Sequence, residues 1–396
     1  MRCFLAKDAV LRRLETPAVY QKATDELYEL DDDSYALLEK CSSESGNCVE
    51  DADFAGYCLK EKILTRDKVS GNRPPLKKSP IPSLRYLELQ VTDKCNLRCR
   101  HCYIAEGGGS ELPVPMIRDI LGEFEEMQGL RVLITGGEPL LHSGFAELNA
   151  MLPQFSLRKI LFTNGLMLKD KILGGLNVDE IQVSIDGLEK GHNALRGEGT
   201  FSRAIDSLRR GLERGFDVSV STMVHAANLG DFDGMEKLFR SLGVKDWTVD
   251  VPCAAGRLAG NAEFHVAPEE GGKYLGYGYG GGLHAGAYGF ACGLHLMSVT
   301  ADGRVSKCTF YADRPAGAIE EGLSECWKRM TPLRLDDLKC DCEQREVCRG
   351  GCRYRAETFG DPLGKDLYRC ALYDIIKKEG PHGAGPEPRE KGGVSA

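Results

Sequence analysis

Residues 95–103 read Cys95-Asn96-Leu97-Arg98-Cys99-Arg100-His101-Cys102-Tyr103, and the rest of the chain is organised around them. Three thiols fall within eight residues, separated by three residues and then two. That spacing is too tight for a disulfide framework and suits three thiolates on one metal centre. A [4Fe–4S] cube takes four ligands, so three cysteines leave one iron free for a small molecule. The apolar run ahead of them, Tyr86-Leu-Glu-Leu-Gln-Val91, reads as a strand. The cysteines then lie on the loop that leaves it. A zinc knuckle is the competing reading, because zinc draws four Cys or His ligands and His101 would supply the fourth.

Composition bounds the rest. The chain has 396 residues, 42% hydrophobic and 28% charged, enough for one large domain plus one or two small ones. A formal charge of −8 disfavours nucleic acid as a partner. No apolar run approaches the roughly 20 residues of a membrane helix. The start, Met-Arg-Cys-Phe-Leu-Ala-Lys-Asp, lacks a secretory pattern. The sixteen cysteines are therefore expected in the reducing cytoplasm, where they bind metal or act in catalysis rather than pair.

From residue 84 to 260, strand-like runs at 86–91, 131–134, 159–162, 180–184, 217–223 and 246–251 alternate with helical runs such as 115–127 and 202–214. This is the pattern of parallel βα units, whose C-terminal strand ends share one face, where sites are built. After the second strand comes Gly136-Gly137-Glu138-Pro139. Its glycines let the backbone approach a ligand, and Glu138 offers a carboxylate to an ammonium. Thr163-Asn164-Gly165 follows the third strand, and Ser184-Ile185-Asp186-Gly187 ends the fourth, with Arg196 soon after. Each alone reads as an ordinary turn. Their order behind successive strands, downstream of the three cysteines, is hard to obtain by accident.

Cys-x3-Cys-x2-Cys followed by an aromatic, together with those turns, resembles the radical S-adenosylmethionine (SAM) enzymes. The resemblance implies an α/β fold with a partial (β/α)6 TIM-like barrel, and a [4Fe–4S] cluster on Cys95, Cys99 and Cys102 with SAM at its free iron. It further implies SAM contacts from Tyr103, from Gly136, Gly137, Glu138 and Pro139 at the amino group, and from Asn164. Ser184 and Asp186 would meet the ribose, and Arg196 the methionine carboxylate. Pro252, Gly256 and Arg257 resemble the residues that close this core.

A second cysteine field holds Cys292, Cys308, Cys340, Cys342, Cys348, Cys352 and Cys370. Their order over residues 285–375 resembles the SPASM extension, whose relatives house two auxiliary [4Fe–4S] clusters. One residue separates Cys340 from Cys342, where relatives usually have two. The resemblance implies Cys340, Cys342, Cys348 and Cys370 on the outer cluster and Cys292, Cys308 and Cys352 on the inner. One place is left: relatives fill it about six positions before Cys292, where Gly286 stands. Cys253 or Cys326 reaches over, or, the arrangement favoured by the sequence, the inner cluster keeps an open iron able to bind a substrate thiolate. A zinc module of Cys340, Cys342, Cys348 and Cys352 leaves the other three unexplained.

Residues 1–70 combine a β-rich opening (9–14, 18–20, 27–30), N-cap aspartates at 31–33, a helix from Tyr35 and a second over 49–64. Two or three strands with two or three helices resemble a winged helix, and more narrowly the leader-peptide recognition elements of peptide-modifying enzymes. DNA binding is disfavoured, because residues 1–72 carry 10 Lys+Arg against 15 Asp+Glu. Residues 71–83 read as a proline-rich linker, 261–377 as the extension, and 378–396 as a disordered tail. The Gly/Tyr-rich run at 275–290 reads as a pliable loop. The whole resembles maturases that oxidatively cross-link a ribosomally made precursor peptide, most simply by a Cys thioether. Flavodoxin or ferredoxin would be the electron donor. Carbon–carbon cross-linking is the alternative, as is a sulfatase-type maturase, which Thr309-Phe310-Tyr311 after Cys308 disfavours; a non-catalytic peptide-binding scaffold is the reading from another class.

Overall fold

The opening unit is built from short strands. In order come β1 (Arg2–Leu5), β2 (Ala9–Arg13), β3 (Pro17–Gln21), β4 (Glu26–Glu29), helix α1 (Asp32–Cys41), β5 (Asn47–Cys48), helix α2 (Ala52–Lys60) and β6 (Leu64–Thr65). They form two antiparallel sheets, β5-β1-β6 and β2-β3-β4. The computed structural model describes residues 1–375 apart from 70–72, 75, 105–107, 281, 283 and 285–288; the expected tail lies outside the described residues. Both helices start at an aspartate: Asp31 accepts the Ser34 N–H at 2.7 Å and Asp51 the Phe54 N–H at 2.9 Å. Six strands appear where two or three were expected, because β1, β5 and β6 span only two to four residues and carry no periodic signal. Cys3, Cys41 and Cys58 pack in this unit's core as small apolar side chains.

The main sheet holds nine strands. β7 (Tyr86–Thr92), β8 (Arg131–Gly136), β9 (Arg158–Thr163), β10 (Glu180–Ser184), β11 (Asp217–Met223) and β12 (Asp246–Asp250) are parallel neighbours in sequence order. β13 (Leu296–Val299) adds parallel to β7, and β14 (Arg304–Ser306) and β15 (Gly317–Ala318) continue antiparallel. Helices between the strands cover the outer face. Val114–Glu126 buries Val114, Ile117, Ile120, Leu121 and Phe124, three and four residues apart, and Thr200–Glu213 does the same with Ala204, Ile205 and Leu208. The six strands and both helices lie within a few residues of their sequence-read ranges.

The barrel floor was not foreseen. Arg131, Arg158, Glu180 and Asp217 each begin one of four successive strands. Arg158 bridges Glu180 and Asp217 at 2.8 and 2.7 Å. Asp25, from the β3–β4 turn, pairs with Arg131 at 2.8 Å and lies 3.5 Å from Arg158, so the opening unit plugs this end. Arg12 fastens it further by donating to the Ser156 carbonyl at 2.8 Å. The linker is strapped down rather than free, since Arg73 donates to the Leu5 and Ala9 carbonyls at 2.8 and 2.9 Å. Tyr277 and Tyr279 pack on Trp247 outside the cavity. Among the described residues, no helix is long and apolar enough to cross a membrane.

Candidate active site

A cavity of about 660 Å³ runs from the floor, where Asp25, Arg131 and Glu180 line it, to the opposite strand ends. Cys95, Cys99 and Cys102, on the loop after β7, all line it. Among the described residues, no three His, Cys, Asp or Glu side chains are gathered to hold a single metal ion. Sulfurs around one zinc would stand within about 4 Å of each other. Thiols set along a cavity wall instead suit a cluster with volume of its own, so the donor set fits a [4Fe–4S] cube. Burial pushes the Cys99 thiol up and the nearby Arg196 guanidinium pulls it back, so a bound metal would supply the positive charge that favours thiolate there.

Neighbouring turns hold the cysteine loop in place. The Gly137 N–H donates to the Thr92 carbonyl and the Glu138 N–H to the Lys94 carbonyl, both at 2.8 Å. A Cβ on Gly137 would stand 2.4 Å from the Lys94 oxygen. The paired glycines thus permit close approach to this loop as well as facing the cavity. Gly256, at φ +54°, sits under the loop's far end, where a Cβ would come within 2.4 Å of the Cys102 oxygen. Arg257 donates from Nε to the Cys99 carbonyl at 2.9 Å. Asn164 reaches across to Asn96 at 2.8 Å.

Glu138 stands elsewhere than the motif suggested. It is fully buried beside the cavity and absent from its lining; its carboxylate accepts the Thr163 hydroxyl and the Asn164 N–H at 2.9 Å. Burial lifts its pKa to about 7, with those hydrogen bonds acting the other way. Pro139 is buried behind it in a single helical turn. Glu138 therefore ties the end of β8 to the end of β9, and the backbone of Gly136 and Gly137 is what faces the cavity.

Tyr103, Asn164, Ser184, Asp186 and Arg196 do line the cavity. Asp186 and Arg196 are paired to each other, with 2% and 12% of their side chains exposed. Burial alone would raise the Asp186 carboxyl; Arg196 beside it holds it well below the usual range. Arg196 Nη1 lies 3.9 Å from the Cys99 sulfur. The shelf under Asp186 comes from residues the sequence did not single out. His192 Nδ1 accepts its N–H at 3.1 Å, while His225 Nε2 and Asn228 Nδ2 bond its carbonyl at 2.8 and 2.9 Å.

Glu88 was also missed, although its signal was visible as an acid within an apolar strand. It lines the cavity, accepts the Thr309 N–H at 3.3 Å, and is lifted by burial to about 7. Phe310 lines the same wall, its ring 5.5 Å from that of Tyr103.

The second cysteine field separates into two groups. Cys370 has Cys348, Cys340 and Cys342 as neighbours, and Cys348 has Cys342 and Cys340. These four stand together despite the shortened Cys340-Asp341-Cys342 spacing. Cys308 has Cys292 and Cys352 as neighbours, and Cys292 has Cys352. All sixteen cysteines are free of disulfides.

Residues 89–239 match the model of the radical SAM superfamily. An AdoMet-dependent heme synthase from Oleidesulfovibrio alaskensis is 24% identical over 356 residues, covering 77% of this chain and 91% of that protein. The mycofactocin maturase MftC of Mycobacterium tuberculosis is 26% identical over 326 residues, 70% of this chain and 80% of its own. In fold the chain is similar to Streptococcus suis SuiB, solved bound to the precursor peptide SuiA. The TM-score is 0.68 at 15% identity, with 92% of this chain and 99% of that one covered. With that domain match, and three cysteines, a glycine pair and an Asp–Arg pair around one cavity, the chain carries a radical SAM domain over residues 89–239 and is an enzyme that uses SAM and a [4Fe–4S] cluster.

Proposed function

We propose that this enzyme oxidatively modifies a ribosomally made precursor peptide, joining a cysteine sulfur to a peptide carbon as a thioether. The observation that carries this reading is the placement of the second cysteine field. Its inner group reaches the wall of the cavity that also holds Cys95, Cys99 and Cys102, through Thr309 and Phe310 next to Cys308. A substrate between them would have a site of hydrogen removal on one side and an electron acceptor on the other.

When bound, SAM and its cluster would supply a 5′-deoxyadenosyl radical that removes one hydrogen atom from a peptide carbon. The chain's own residues do the rest. Gly136 and Gly137 would present backbone to the amino group of SAM, Ser184 and Asp186 would border its ribose, and Arg196 would pair with its carboxylate. Tyr103, Phe310 and Leu97 wall the pocket against water. Forming the carbon–sulfur bond also releases the thiol proton, which Glu88, poised near pH 7, is placed to accept. Auxiliary clusters held by Cys292, Cys308 and Cys352 and by Cys340, Cys342, Cys348 and Cys370 would supply the acceptor for the remaining electron. Peptide C–H and S–H are thus exchanged for C–S, a net loss of two hydrogens.

In the opening unit, β4 is bonded on one side only, to β3. Tyr28 on it meets the half-exposed Tyr57 of α2, ring to ring at 6.3 Å. A leader segment adding as a strand to this edge would bury both rings. The hairpin that carries β4 also carries Asp25 into the barrel floor. Flavodoxin or ferredoxin would deliver the electron. The match to a heme synthase motivates a second reading, in which the substrate is a tetrapyrrole rather than a peptide.

Anaerobic reaction with a cysteine-bearing precursor peptide, followed by mass spectrometry, tests the proposal. A loss of two hydrogens per cross-link, with the cysteine no longer alkylated by iodoacetamide, supports a thioether. The same mass loss with a free thiol points to carbon–carbon bonding. An unchanged peptide alongside turnover of a tetrapyrrole refutes the peptide reading.

A further inference from the structure

Four cysteines of the extension stand together as the outer group, which leaves Cys292, Cys308 and Cys352 as three ligands for a cube that takes four. The structure supplies a fourth thiol from outside the extension. Cys253 follows β12, is buried at 6% exposure, and lines the barrel cavity. Its thiol is a neighbour of the Cys352 thiol, and both stand beside the Arg355 guanidinium. Arg355, fixed by Asp250 at 2.8 Å and Asp366 at 3.0 Å, points Nη1 at Cys253 from 4.0 Å and offers positive charge to the group.

The other spare thiol is placed elsewhere. Cys326 is buried in the main core, donates to the Ala318 carbonyl at 3.6 Å, and has Glu321, Arg329 and Glu123 as its charged neighbours. A Cβ on Gly317 would lie 2.8 Å from its sulfur, so the site is filled.

We infer that Cys253 is the fourth protein ligand of the inner auxiliary cluster, which is therefore closed and has no iron open to substrate. This rests on the reading of the extension as a two-cluster domain. Two consequences follow from the position of Cys253. The cluster joins the last barrel strand covalently to the extension, and one of its ligands forms part of the substrate wall. A peptide thiol would then meet the cluster across that wall and pass its electron without binding iron.

The test uses the full chain with Cys95, Cys99 and Cys102 all changed to Ala, so that only auxiliary clusters remain after anaerobic reconstitution. This parent should hold about eight irons, two cubes of four, and its reduced electron paramagnetic resonance spectrum should not respond to added 2-mercaptoethanol. Adding Cys253→Ala should change one of the two cluster signals, leave the other intact as a check on folding, and make the changed signal respond to the thiol. Cys253→Ser should alter the same signal, and Cys326→Ala should alter neither. The inference is overturned if Cys253→Ala and Cys253→Ser leave spectrum and iron content unchanged, or if the parent already responds to thiol. A parent with zinc or without iron overturns the two-cluster reading itself, and the inference with it.

Discussion

Arg196 and Asp186 invite a quantitative experiment, because each is expected to contact SAM yet they are paired to one another. Arg196→Met keeps most of the side-chain volume and removes the guanidinium. A hydrogen bond to a charged group contributes about 1.5–3 kcal/mol, so SAM affinity should fall roughly 10- to 150-fold. Asp186→Asn keeps the shape of the shelf and removes the charge that aims Arg196. It leaves a buried guanidinium without its carboxylate, a change that costs about 3–5 kcal/mol of stability and should appear in urea unfolding. If Asp186 acts on SAM by orienting Arg196, the double variant binds SAM no more weakly than Arg196→Met alone. A double-mutant cycle on anaerobic equilibrium-dialysis constants should then give a coupling of about 1–2 kcal/mol. Additive losses would refute the orienting role and leave Asp186 acting through the ribose by itself.

Gly137→Ala and Gly256→Ala each force a Cβ to within 2.4 Å of a backbone oxygen of the cysteine loop. Each should lower bound iron by up to about four atoms per chain, read by iron assay; full iron content would show that the loop tolerates the shift. Asp25→Ala removes the carboxylate between Arg131 and Arg158 and should cost about 3 kcal/mol. Urea unfolding and limited proteolysis near residues 66–78 would report release of the plug, and unchanged cleavage would count against it. His295 is buried, with Nδ1 2.6 Å from the Ser83 carbonyl; burial first, and then Arg85, lower its pKa to about 4. The unfolded chain takes up the proton near pH 6.5, so stability present above that pH is lost as pH falls toward 4. The expected loss between pH 7 and 5 is up to about 2 kcal/mol; His295→Asn should flatten this slope, and an equal slope in the variant would refute the assignment.

What the sequence determined by itself was local and periodic. Three thiols at short spacing, apolar runs of strand length and glycine-bearing turns behind successive strands point to parallel βα units with a cysteine loop at the C-terminal end of the first, because each feature arises within a few residues; the closure into a partial barrel came from the family resemblance. The extension cysteines fall into two sets of neighbours, Cys340, Cys342, Cys348 and Cys370 in one and Cys292, Cys308 and Cys352 in the other. Contacts between segments distant in the chain were decided only in three dimensions. Glu138 turns inward because the Thr163 hydroxyl and Asn164 N–H satisfy its carboxylate there. Asp25 reaches the floor because Arg131 and Arg158, more than a hundred residues along the chain, present buried charge that requires a partner. Cys253 meets Cys352 because the barrel's sixth strand ends against the extension, a hundred residues further along. A one-dimensional pattern carries no record of such neighbours; packing brings them together, and the energetic penalty of an unpaired buried charge keeps them there.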